Sequence, residues 1–172
     1  MNIITSVPGG IHTAFATLAL IAGGLVLLRR KGTRFHRQAG YLYFVSMWGL
    51  VLAGLPMAHN GISAFHWLSA VSAASISLGL LAVLGAKATT DPAKRAGRLY
   101  AHYKFMAWSY AGLVAAGASQ ISARMALSNG GTIGDFWWAV AGGSAAVIAA
   151  AIILIRLYDR RAGALYGASP KA

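Results

Sequence analysis

The chain has 172 residues, 58% of them hydrophobic and 10% charged, with no cysteine and a formal net charge of +12. A water-soluble domain usually carries about 25% charged residues, so this composition excludes an ordinary soluble fold and predicts an all-α integral membrane protein in a single domain, residues 1–172. The missing thiols exclude disulfides, cysteine nucleophiles and cysteine-ligated metal centres, and the cations lie in short clusters rather than on the contiguous basic face that nucleic acid requires.

Five transmembrane helices are predicted. Helix 1 covers about Gly9–Leu28, after a start, "MNIITSVPGG", that lacks the positive region of a cleaved signal, so this helix is expected to be retained. "RRKGTR" stops it, and helix 2 follows at about Phe35–Leu55, ended by Pro56. Helix 3 is expected at about Ile62–Ala86, and "KATTDPAKRAGR" reads as a polar loop. Helix 4 is expected at about Leu99–Ala126 and helix 5 at about Phe136–Tyr158, leaving 159–172 as a polar tail.

The cations set an orientation. Arg29, Arg30, Lys31, Arg34 and Arg37 fall at the first inner turn; Lys87, Lys94, Arg95, Arg98 and Lys104 at the second; Arg156, Arg160, Arg161 and Lys171 at the end. Arg124 is the one cation on the other side, and fourteen of fifteen together predict the N-terminus outside and the C-terminus cytoplasmic. Small residues crowd helix 5 ("AVAGGSAAVIAAA"), which allows close packing within the bundle or in a homodimer.

All five histidines lie at expected membrane boundaries. His12 and His66 open the odd helices 1 and 3 at the outer face; His36 and His102 open the even helices 2 and 4 at the inner face. Diagonal helices of an up-down bundle can present two imidazoles to each other, which is what bis-histidine ligation of haem b requires. Small residues beside them leave room for a macrocycle: Ala16, Ala19 and Gly23 beyond His12, Ser69, Ala70 and Ala73 beyond His66, and Gly40 one turn from His36. His102 continues as Met106, Ser109, Gly117 and Gln120 along one stripe. A first-turn histidine also sits near the positive end of its helix, which favours the neutral, ligating imidazole. Arg37, with Arg34, Arg98 and Lys104, is an expected partner for haem propionates, although topology alone accounts for these cations.

A second metal reading groups His12, His59 and His66 into an outer zinc or copper site, with Met57 as a soft ligand. Metal-assisted hydrolysis is disfavoured, because no acid is expected inside a span to act as base. The plain reading also stands: histidine is tolerated at headgroup level with no ligand at all.

"GIHTAFATLALIAGGLVLLRRKGTRFHRQAGYLY" and "HYKFMAWSY" resemble the small bacterial membrane proteins of domain-of-unknown-function family 2306. The matching positions are His12, Gly24, Lys31-Gly32-Thr33, His36-Arg37, Gly40, His102, Met106, Ser109 and Tyr110. After the second histidine this chain has Tyr103 and Lys104, where members often carry further basic residues. The resemblance implies a multi-pass protein of a bacterial inner membrane and supplies no activity.

Two functions are therefore carried forward. One is a transmembrane electron-transfer protein, an oxidoreductase if it is an enzyme, holding haem b at His12/His66 and His36/His102 and meeting a quinone or a redox partner protein. The other is a membrane protein without redox chemistry: a partner subunit, a small-solute carrier or a zinc- or copper-handling protein.

Overall fold

A computed structural model describes residues 7–57 and 64–166, with the side chains of 57, 64–66 and 160–166 outside that description. Every described element is helical: α1 Val7–Leu28, α2 Arg34–Gly54, a single 3-10 turn Leu55–Met57, α3 Ala64–Ala88, α4 Pro92–Ser128 and α5 Ile133–Tyr166. Val7–Leu28, Trp67–Ala88 and Ile133–Asp159 are long and apolar enough to cross a bilayer. α2 and α4 are more polar, with Arg34, Arg37 and Gln38 in one and Lys94, Arg95, Arg98, Lys104 and Arg124 in the other. Large apolar side chains face outward, Trp138 at 79% and Leu28 at 85% exposure among them. Such a surface is a liability in water and ordinary in lipid.

The chain divides into two compact units, residues 1–76 and 77–172. In the first, α1 and α2 form an antiparallel hairpin. Ala19, Ala22, Gly23 and Val26 of α1 and Ala39, Tyr43, Ser46 and Met47 of α2 are buried, at the three- and four-residue spacing that puts one face of each helix inward. Phe15 lies over Gly49, where a Cβ would come within 2.6 Å of its ring. The turn between the helices is built locally. Gly32 takes φ +80, a conformation other residues pay to adopt, and Thr33 caps α2 by accepting the His36 N–H at 3.1 Å. Lys31 Nζ donates back to the carbonyls of Val26 (3.0 Å) and Leu27 (3.1 Å), where helix-end carbonyls lack backbone partners.

In the second unit, the C-terminal half of α3 packs on α4 through its glycines, and α4 packs antiparallel on α5. Two expected boundaries are corrected here. α4 begins at Pro92, seven residues before the expected start, because Asp91 caps it: Oδ1 accepts from Ala93 N–H at 2.9 Å and Lys94 N–H at 3.2 Å, and Pro92 opens the first turn with its φ already helical. At 37 residues, α4 is about 55 Å long, well beyond the ~30 Å hydrocarbon core. α5 continues to Tyr166, so the first part of the expected polar tail is helical; Arg160, Arg161 and Ala162 are good helix formers and no proline interrupts them.

Candidate functional site

The histidines that the helices position best are His12 and His102. His12 Nδ1 lies 3.0 Å from the carbonyl of Leu50 on α2. His102 Nδ1 lies 2.7 Å from the carbonyl of Gly79 on α3. A carbonyl can only accept, so Nδ1 carries a proton and donates in both cases. In a neutral ring that places the lone pair on Nε2, the tautomer in which histidine ligates a metal while its other nitrogen is anchored to the backbone.

Glycines make both approaches possible. Gly54 borders the His12 ring, and a Cβ there would sit 3.4 Å from its Cε1 and Nδ1. Gly79 lies beneath Met106 as well as His102: a Cβ would come within 2.9 Å of Met106 Sδ. His102 and Met106 are four residues apart on α4, so both stand on the same helix face over one glycine.

The helix-dipole expectation is overturned for both. With α4 starting at Pro92, His102 sits in the third turn, and with α1 starting at Val7, His12 sits in the second. The field of a helix end fades beyond its first turn, so the carbonyls and not the dipole set the ring protonation pattern. His36 and His66 do fall in the first turns of α2 and α3.

The other expected residues are placed unevenly. His36 is half-buried, and Gly40, one turn on, has open space where a Cβ would go. His36 and His102 belong to different units. The side chain of His66 lies outside the described residues, as do all of His59 and the Met57 side chain, so the His12/His66 pair and the His12, His59, His66 trio are not described. Among the described residues no group of three His, Asp or Glu side chains is arranged to hold a metal. Arg37 is exposed, as is Arg34. Arg98 and Lys104 are committed to protein partners: Arg98 Nη1 donates to the Gly85 carbonyl near the end of α3, and Lys104 Nζ meets Asp159 Oδ2 at 2.5 Å. Partial burial pushes the Lys31 ammonium below the usual lysine range.

Three features escaped the sequence reading. The carbonyls of Leu50 and Gly79 had no signal, since every helical residue has a carbonyl and its second lone pair is invisible in sequence. The Lys104–Asp159 pair had one: a lysine near the start of expected helix 4 and an acid just past the end of expected helix 5, both expected at the inner face. The α4 start had the strongest, the Asp91-Pro92 dipeptide. Of the small residues in α5, Gly143 is used inside the unit, against Ser122 and Ala118 of α4.

A family model described as "Predicted membrane protein (DUF2306)" matches residues 9–158, which takes in α1 to α4 and most of α5. No curated protein and no solved structure matches the chain. The outward-facing apolar helices and this match lead to one conclusion: the chain belongs to the DUF2306 family of predicted membrane proteins.

Proposed function

We propose that this chain is a transmembrane redox protein in which His12 and His102 each serve, in their own unit, as a ligand to a haem b or another redox metal. One observation carries the reading. In each of the two units, an imidazole donates its Nδ1 proton to a backbone carbonyl of the neighbouring helix, which leaves Nε2 as the ligating atom. Histidines merely tolerated at an interface have no need of a fixed tautomer. Met106 stands beside His102 as a soft donor, and the open flank at Gly40 suits a flat group near His36. Such a group, once bound, would supply one-electron transfer; His12 would hold one in its unit and His102 another in its own, and Arg37 offers an exposed cation for an acidic substituent. The fold reading that goes with it is five spans, amino end outside, in a bacterial inner membrane, supported by the fourteen cations expected on one side. A quinol or a redox protein is the electron donor class that fits a membrane location.

The competing reading has its own support. Each Nδ1 bond joins two helices, and that stitch serves a structural role equally well in a protein without redox chemistry. An absorption spectrum separates them. Protein purified from haem-replete cells is expected to show a Soret band that shifts on reduction, and His12→Ala and His102→Ala are each expected to remove about half of it. Colourless protein with no bound transition metal by elemental analysis would leave the structural reading in place.

A further inference from the structure

We infer that the turn joining α1 to α2 is a binding surface for anionic phospholipid headgroups. Residues 1–76 contain no Asp and no Glu, yet this turn gathers Arg29, Arg30, Lys31, Arg34 and Arg37. Two of the five are occupied within the unit. Lys31 caps the end of α1, and the Arg29 guanidinium lies 5.5 Å from the centroid of the Phe35 ring. Arg30 and Arg34 are exposed, and their unit holds no carboxylate to neutralise them. Three cations of the second unit are answered internally: Lys94 lies 3.7 Å from Asp91, Lys104 pairs with Asp159, and Arg98 bonds a carbonyl.

The surroundings favour a lipid over a soluble anion. Leu27, Leu28 and Phe35 are exposed at 42%, 85% and 44%, directly beside the exposed guanidiniums. Acyl chains cover the first chemistry and a phosphate answers the second, with the planar guanidinium fork matched to phosphate oxygens. A free phosphate would satisfy the arginines alone. Each cation near an anionic membrane surface strengthens binding about fivefold, so two together are worth roughly 30-fold.

The test is a titration of the detergent-purified full chain with phosphatidylglycerol, phosphatidylcholine or inorganic phosphate, with bound lipid read by native mass spectrometry. Phosphatidylglycerol is expected to bind preferentially, and Arg30→Gln/Arg34→Gln is expected to weaken it roughly 30-fold with phosphatidylcholine unchanged. Lys87→Gln/Arg95→Gln removes the same charge from exposed positions of the second unit and is expected to leave the preference intact. If the double variant fails to fold, the single variants carry the test at about fivefold each. Equal binding of the two lipids, displacement of phosphatidylglycerol by inorganic phosphate, an unchanged affinity in the variants, or an equal loss in the charge-matched control would each overturn the proposal.

Discussion

The two units solve the same electrostatic problem differently. Residues 1–76 present a cationic turn with no acid anywhere in the unit, whereas residues 77–172 hold all three acids and use two of them on nearby lysines. The lesson is that similar clusters of Lys and Arg, indistinguishable as topology signals, differ in what they need from outside. The second unit pairs Lys94 and Lys104 with acids of its own. The first has no acid of its own to use.

That contrast can be broken most directly at Asp159. Asp159→Ala strands Lys104, whose side chain is only 31% exposed, and is expected to cost about 2 kcal/mol, read as a lower unfolding temperature in detergent. The loss should not depend on anionic lipid, and Lys104→Met/Asp159→Leu should recover much of it. A loss that anionic lipid repairs would erase the distinction between the units. The next test lies in the first unit. Gly49→Ala places a Cβ within 2.6 Å of the Phe15 ring and is expected to destabilise by about 1–2 kcal/mol, the ring turning aside to make room. An unchanged unfolding temperature would show that the α1–α2 contact is looser than its geometry implies. Gly40→Ala is the mildest. Its flank is open, so alanine should be neutral or stabilising by up to about 1 kcal/mol through helix propensity. If the protein is coloured and Gly40→Ala lowers the Soret absorbance at unchanged stability, the open flank is cofactor space.

Helix placement was legible where it rests on apolar runs. α1, α2 and α3 lie within about two residues of expectation at each described end. It was misread where polar residues continue a helix past its apolar part. "KATTDPAKRAGR" has a loop's composition, but Asp91 and Pro92 satisfy and pre-shape a helix start, and local capping decides over polarity. The end of α5 was missed for the same reason, since charge marks the edge of the membrane and not the edge of a helix.

The sequence by itself determined that this is a helical membrane protein, which family it resembles, and which histidines merit attention. These follow from local properties: run length, residue type and spacing. Only the tertiary structure decided what His12 and His102 donate to, because the acceptors are backbone carbonyls 38 and 23 residues away that no side chain announces. It likewise decided which cations find partners, since pairing is a matter of distance between helices and not of order along the chain.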